Sequence, residues 1–260
     1  MTAFADRALT LTIEGDVATL AFDRPAKRNA IALAMWRALP DACAAFAASD
    51  AKVLVVTGRG GHFAAGADIG EFEAVYATPQ SAADYNAAIA AGIGAIAGLE
   101  KPVLAAIEGA CVGGGLAVAL ACDLRIAASD ARLAITPAKL GLTYSLEDTK
   151  RLVDAVGASA ARDILFTGRL LGAEEALRLG LIDAIETDVP AAVATKAAEI
   201  AAASQRSVRA IKATIRAILA GAVEDDAATR AAFVASVSGA DFIEGRTAFL
   251  EKRKPVFPER

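Results

Sequence analysis

The positions with the clearest chemical potential in this chain carry almost no side chain. Two segments, Gly60-Gly61-His62-Phe63-Ala64-Ala65-Gly66-Ala67-Asp68-Ile69 and Glu108-Gly109-Ala110-Cys111-Val112-Gly113-Gly114-Gly115, are built mostly from glycine and alanine. Each follows an apolar run, Val53–Thr57 or Val103–Ile107, with the length and composition of a buried strand. Strand ends stripped in this way let a ligand approach bare backbone N–H groups. Two such groups converging on one carbonyl oxygen form an oxyanion hole, which stabilises negative charge without moving a side chain.

Other chemistries lack their parts. His62 is the sole histidine, so multi-histidine metal sites are out of reach, and its place beside Gly61 reads as an exposed turn. Cys43, Cys111 and Cys122 are too irregularly spaced for a disulfide framework or a zinc set. They read as free thiols in a reducing cytoplasm. No Gly-x-Ser-x-Gly elbow is present, and no Gly-Lys-Ser/Thr follows the glycine triplet. A net charge of −4 argues against a general nucleic-acid binder. The most apolar stretch, Val103–Cys122, includes Glu108 and four glycines and reads as strand, turn and helix rather than a membrane span. The first seven residues lack the apolar core of a signal peptide. The expectation is a cytoplasmic protein with neither nucleic-acid nor membrane partners.

The elements that must position these segments follow from periodicity. Ala8–Ile13 and Val17–Phe22 alternate around Glu14-Gly15-Asp16 and predict a hairpin. Apolar spacing predicts a helix over Ile31–Ser49, with Asn29 as its cap, and another over Ser81–Leu99 that Lys101-Pro102 terminates. Gly114–Ala121 opens a helix directly after the triplet, and Leu124–Ala127 and Leu133–Thr136 are short strands. Beyond about residue 140 the pattern turns helical: Leu146–Val156, Ala158–Thr167, Ala173–Leu179, Ala191–Leu219, Asp225–Val237 and Phe242–Lys252. Strands crowd the first half and helices the second, giving an α/β core over 1–190 and a helical region over 191–260.

In this order the chain carries Asp23-Arg24-Pro25-Ala26-Lys27-Arg28-Asn29-Ala30, Phe63-Ala64-Ala65-Gly66-Ala67-Asp68-Ile69, and Lys101-Pro102-Val103 leading to Gly113-Gly114-Gly115. Ala121-Cys122-Asp123-Leu124-Arg125, Thr167-Gly168-Arg169, Ala173-Glu174-Glu175-Ala176, Gly180-Leu181-Ile182-Asp183 and Glu244-Gly245-Arg246-Thr247-Ala248-Phe249 follow. The series resembles the crotonase, or enoyl-CoA hydratase/isomerase, superfamily over nearly the whole chain. The resemblance implies a crotonase-like spiral of ββα units with a C-terminal helical trimerisation region, in a homotrimer or a dimer of trimers. It implies an acyl-CoA thioester substrate, coenzyme A being part of that substrate, and no separate cofactor or metal. It places the oxyanion hole at the N–H groups of Ala67 and Gly114. It also places Ala26, Lys27, Arg28, Ala30, Ala64, Asp68 and Ile69 along the coenzyme A channel. Phe249 and Lys252 would reach the nucleotide end of a neighbouring subunit's ligand.

The resemblance breaks at the acids. Hydratases of the family use two glutamates, at positions where this chain has Ala117 and Ala138. Alanine neither takes nor gives a proton. The next loop, Thr143-Tyr144-Ser145-Leu146-Glu147-Asp148-Thr149, offers Glu147 or Asp148 as a proton shuttle and Tyr144 as a hydroxyl. The competing reading makes Ser145 the cap of the following helix and the two acids favourable first-turn residues. Glu71 and Glu73 are weaker candidates, read as solvent-facing on a helix, and Asp123 reads as structural. Family membership implies action on enoyl-CoA under a hydratase label. The alternatives are an isomerase or decarboxylase using one carboxylate from the 144–148 loop, or a non-catalytic acyl-CoA-binding subunit.

Overall fold

Two buried parallel strands divide the interior into two cores, one on each face of a sheet. The computed structural model describes residues 1–258. Its strands are β1 (Thr2–Phe4), β2 (Leu9–Glu14), β3 (Val17–Phe22), β4 (Val53–Gly58), β5 (Val103–Ile107), β6 (Ala110–Val112), β7 (Leu124–Ala128), β8 (Arg132–Ala134), β9 (Leu171–Gly172) and β10 (Ala184–Glu186). Its helices are α1 (Leu33–Ala47), α2 (Phe72–Val75), α3 (Pro79–Gly98), α4 (Gly114–Ala121), α5 (Leu146–Thr167), α6 (Ala173–Leu179), α7 (Val189–Ala201), α8 (Gln205–Leu219), α9 (Ala227–Val237) and α10 (Ala240–Glu251).

Seven strands form the larger sheet in the order β1-β2-β3-β4-β5-β7-β10, antiparallel to β3 and parallel from there on. Covered on both faces, β4 and β5 read as unbroken apolar runs rather than alternating ones. Val53, Val55, Leu104, Ala106 and Ile126 pack against Val189, Val193 and Ala197 of α7. Leu54, Val56, Val103, Ala105 and Ile107 face the other way, into the main core with Trp36, Leu39 and Phe46 of α1 and Ile93 and Ile96 of α3. Gly92 lets α1 and α3 approach, since a Cβ there would lie 2.9 Å from the Trp36 carbonyl oxygen.

The small sheet, β6-β8-β9, explains how the chain turns. After β5 and β7 the backbone bends into β6 and β8 before entering α4 and α5, so each turn is two strands and a helix. The first glycine segment adds a reduced version, a single parallel bridge between Ala64 and Cys111. This is the expected ββα spiral. Among the described residues no helix is long and apolar enough to cross a membrane.

Several boundaries differ from expectation. Gly157, at φ 75° and ψ 161°, separates the two halves of α5 where the sequence predicts two helices. The single helix predicted over Ala191–Leu219 is instead α7 and α8. Ser204 breaks it by capping α8 through the Ser207 N–H, with its hydroxyl 2.5 Å from Asp241 of α10. The expected boundary at 190/191 falls inside α7, which packs on the sheet and belongs with the core. Strands β1, β6, β9 and β10 are only two or three residues long, too short for periodicity to reveal.

Asn29 is not a helix cap. Ala32 occupies that position, while Asn29 is fully buried in a left-handed conformation at φ 57°. Its Oδ1 accepts from Arg24 N–H at 2.9 Å, and its Nδ2 donates to the carbonyls of Arg59 (2.9 Å) and His62 (2.6 Å). One side chain thus ties the 23–30 turn to the first glycine segment. Asn29→Ala is expected to destabilise the fold by about 3 kcal/mol, because it leaves buried carbonyls unpaired. Asn29→Asp should be no better, since a carboxylate cannot donate to those carbonyls. Urea unfolding checks both, and a loss under about 0.5 kcal/mol would show the latch is dispensable.

Candidate active site

The N–H groups expected to matter lie side by side. Gly114 is the first residue of α4, where a helical N–H has no partner within its own helix. In the parallel bridge between Ile31 and Ala67, Ile31 N–H donates to Gly66 O at 2.7 Å and Asp68 N–H to Ile31 O at 3.0 Å. That pattern turns the Ala67 N–H away from Ile31. Neither the Ala67 nor the Gly114 N–H donates to a protein acceptor among the described residues. A Cβ placed on Gly114 would lie 3.7 Å from Ala67 N, which sets the two strand ends in contact.

Backbone hydrogen bonds tie both segments together. Ala64 N–H donates to Ala110 O and Val112 N–H to Ala64 O, each at 2.9 Å, clamping one glycine segment to the other. Gly113 N–H donates to Ala134 O at 2.8 Å, and its backbone (φ 53°, ψ −116°) makes the turn into α4. Gly115 has no room for a side chain, because a Cβ would fall 2.3 Å from Ala64 O.

Both residues line a cavity of about 550 Å³. Its walls come from α1 (Trp36), the first glycine segment (Ala65 to Ala67, Ile69), α2 and α3 (Phe72, Tyr85, Ile89, Ile93) and α4 (Gly114, Ala117). The 136–151 segment closes it with Thr136, Leu140, Tyr144, Glu147, Asp148 and Arg151. A separate cleft of about 470 Å³, between Ala5–Ala8 and Arg24, holds neither N–H group.

The acids of the closing loop are arranged by Ser145, the cap of α5. Its Oγ accepts from Asp148 N–H at 3.1 Å and donates to Asp148 Oδ2 at 2.7 Å. Arg151 Nη1 donates to Asp148 Oδ1 at 2.8 Å, so both oxygens of this buried carboxylate are engaged. Glu147 differs: its side chain is 68% exposed and 3.7 Å from Arg151 Nη2. The capping role and the cavity-lining role therefore coexist in one loop. Burial, with Asp148 adding to it, pushes the Tyr144 hydroxyl far above its ordinary range and keeps it protonated.

The remaining expected residues fall elsewhere. Ala64 is fully buried in its bridge and does not line the cavity. Asp68 is also buried, its Oδ2 shared by Arg24 (2.8 Å) and Lys27 (2.9 Å), while its Oδ1 caps Gly70 N–H. Lys27 is thus spoken for by an internal ion pair. Ala26 and Arg28 are exposed on the same turn, and the Ala30 carbonyl accepts from Arg24 Nη1. Ile69 is exposed and lines the cavity. Phe249 on α10, 83% exposed, and Lys252 after it do not reach this chain's cavity.

Glu71 is not a free solvent-facing acid, because its Oε2 accepts from Leu33 N–H at 2.7 Å and caps α1 across the chain. Glu73 is exposed. Asp123 accepts from Val103 N–H and from Lys212 Nζ of α8. His62 is half-buried, its Nδ1 accepting from Ala110 N–H at 3.1 Å, so it braces the second glycine segment. All three cysteines are buried, and burial raises each thiol, Cys43 to about 12.

Sequence reasoning missed Trp36, Tyr85 and Arg151. The first two sit at apolar positions of amphipathic helices and look like ordinary core. Arg151 is marked only by its spacing of three and four residues from the two acids.

The enoyl-CoA hydratase/isomerase family profile matches residues 12–260. A crotonyl-CoA hydratase of Syntrophomonas wolfei is 34% identical, over 96% of this chain and 97% of that protein. A short-chain-enoyl-CoA hydratase of Clostridium acetobutylicum is also 34% identical, over 93% and 94%. A crystal structure from Hyphomonas neptunium, described as of an enoyl-CoA hydratase/isomerase family protein, superposes with a TM-score of 0.94 at 45% identity. That superposition covers 97% of this chain and 98% of the other.

The ion-paired Asp68 gives the site loop a pH signature. Burial raises its pKa, but hydrogen bonds from Lys27, Arg24 and Gly70 N–H outweigh that and hold it below the ordinary value. Its stabilising contribution is complete at neutral pH and is lost as pH falls from about 5 through the lowered native value. Asp68→Asn is therefore expected to be less stable than the parent by a constant margin above about pH 5, and the margin should shrink below it. Urea midpoints from pH 7 to 3 check this, and a margin independent of pH would contradict it.

Proposed function

The chain belongs to the enoyl-CoA hydratase/isomerase family, and we propose that it binds an acyl-CoA thioester and stabilises its enolate through the N–H groups of Ala67 and Gly114. One observation carries this reading: two neighbouring residues that line one cavity each keep a backbone N–H with no protein acceptor among the described residues. The positive end of α4 adds to them at Gly114. A thioester oxygen gains negative charge when a proton leaves the adjacent carbon, and preorganised donors lower the barrier to that step.

The relatives are named as hydratases, yet water addition needs groups that Ala117, buried beside the hole, and Ala138, exposed on its turn, do not supply. We favour double-bond migration in an enoyl-CoA. One carboxylate takes a proton from the α-carbon of a 3-enoyl-CoA, the resulting dienolate oxygen rests on the two N–H groups, and the proton returns at the γ-carbon to give the 2-enoyl isomer. Glu147 suits the shuttle, because its carboxylate is loosely held. Asp148 positions the loop, since Ser145 and Arg151 occupy its oxygens. Tyr144, kept protonated, serves as a donor. Coenzyme A enters as part of the substrate, past Ile69 and the 26–30 turn, with no further cofactor in the scheme.

The exposed apolar residues of the C-terminal helices support association as a trimer or a dimer of trimers. Ile211, Ile215 and Ile218 share one face of α8, and Phe233, Val234, Phe242 and Phe249 extend the apolar surface over α9 and α10. Phe249 and Lys252 would then serve a neighbour's ligand.

Assays with 3-enoyl-CoA substrates are expected to show conversion to the 2-enoyl isomer, with solvent deuterium entering at the γ-carbon. Glu147→Gln should lower kcat by about 10²-fold or more with little change in KM. In Gly114→Ala the new Cβ meets Trp36 Cζ2 at 2.9 Å and crowds the hole, so a loss of about 10²-fold is expected. Full activity in Glu147→Gln would remove the assigned shuttle, and crotonyl-CoA hydration at ordinary rates would replace isomerisation. Sedimentation equilibrium is expected to give three or six times the chain mass; a monomer would defeat the assembly reading.

A further inference from the structure

One arginine meets two carboxylates in the wall of the cavity. Arg151 lies three residues after Asp148 and four after Glu147 on α5, the two spacings at which side chains of one helix meet. Its Nη1 donates to Asp148 Oδ1 at 2.8 Å, and its Nη2 stands 3.7 Å from Glu147 Oε2. Among the described residues it is the only Lys or Arg that lines the cavity. Its side chain is 21% exposed, and its charge also reaches the Tyr144 hydroxyl, where it opposes the effect of Asp148.

The two pairs differ in what they can do. Asp148 is buried, and Ser145 Oγ holds its other oxygen at 2.7 Å, so the anchoring arm of the guanidinium is fixed. The group is planar, so fixing one nitrogen also restricts the second. Glu147 is largely exposed, and its side chain has no other ion pair or hydrogen bond among the described residues. An exposed pair of this kind contributes little to stability, and the helix dipole already favours acids in a first turn. Neutralising Asp148 therefore accounts for one arm of Arg151 but not for the other, which stands beside the acid assigned the proton transfer. A bound acyl group displaces water from this wall and strengthens the charge interactions left there.

Resting on the shuttle role assigned to Glu147 above, we propose that Arg151 is a positioning residue. Anchored on Asp148, it fixes where the Glu147 carboxylate stands while the proton is transferred. The proton passes between the substrate carbon and Glu147 alone. The guanidinium stays protonated throughout and neither gives nor takes one.

Turnover of a 3-enoyl-CoA by four full-length proteins tests this: the parent, Glu147→Gln, Asp148→Asn with Arg151→Gln, and all three changes together. Neutralising Asp148 along with Arg151 avoids leaving a buried carboxylate unpaired, which would disturb the fold for a separate reason. The double variant is expected to lose about 10–100-fold in kcat, with KM within about twofold of the parent. In the Glu147→Gln background the same two changes should cost less than about twofold, because the group they position is gone. Arg151→Lys keeps a charge on Asp148 but lacks the second nitrogen, and its kcat should fall between the parent and the double variant. An equal loss in both backgrounds would mark a purely structural role and overturn the proposal. Parental kcat in the double variant or in Arg151→Lys would overturn it too. Full activity in Glu147→Gln, or no turnover by the parent, would instead remove the shuttle reading and this proposal with it.

Discussion

A pair of backbone N–H groups without protein acceptors is the constraint on which this molecule turns. Leaving two partly buried donors unpaired costs about 1–3 kcal/mol each, so they persist only where the surrounding backbone allows nothing else. Here the allowance is removed on both sides. The Ile31–Ala67 bridge turns one N–H outward, the α4 start leaves the other orphaned, and the Ala64–Cys111 bridge fixes the distance between them. The main core, the Asn29 latch and the brace from His62 all act on these two strand ends. Stability and the proposed chemistry therefore draw on the same backbone contacts.

The acid–base side of the cavity is organised on a different principle. Neither Ala117 nor Ala138 carries an acid, and the carboxylates that line the cavity among the described residues, Glu147 and Asp148, come from the first turn of α5. Ser145 and Arg151 hold Asp148 in place, whereas Glu147 is exposed and lies 3.7 Å from Arg151 Nη2, which is why the proposed shuttle is assigned to it. Away from that segment the cavity is lined largely by apolar side chains, among them Phe72, Ile89 and Ile93.

Local signals in the sequence revealed most of the frame. The unbroken apolar runs of β4 and β5, the glycine triplet opening α4, and Gly157 dividing α5 could all be read because each depends on neighbouring residues. The eight ordered motifs resembling the crotonase superfamily led to the family that the comparisons establish. What could not be read depends on contacts distant in sequence. Glu71 caps α1 from 38 residues away. Lys27, expected along the coenzyme A channel, is drawn together with Arg24 onto Asp68. Ser204 breaks a long alanine-rich helical pattern because Asp241 and Ser207 supply partners. Trp36 and Tyr85 alternate with core residues on amphipathic helices, and only the fold shows that they line the cavity.

The most direct measurement is the vibrational frequency of the thioester carbonyl in a bound acyl-CoA labelled with carbon-13 at that position. Donation from both Ala67 and Gly114 polarises the bond, so the band should fall to lower frequency than in water, and Gly114→Ala should return part of the shift. A carbonyl band unchanged on binding would show that the oxygen does not meet these two N–H groups, and the account of the site would have to be abandoned.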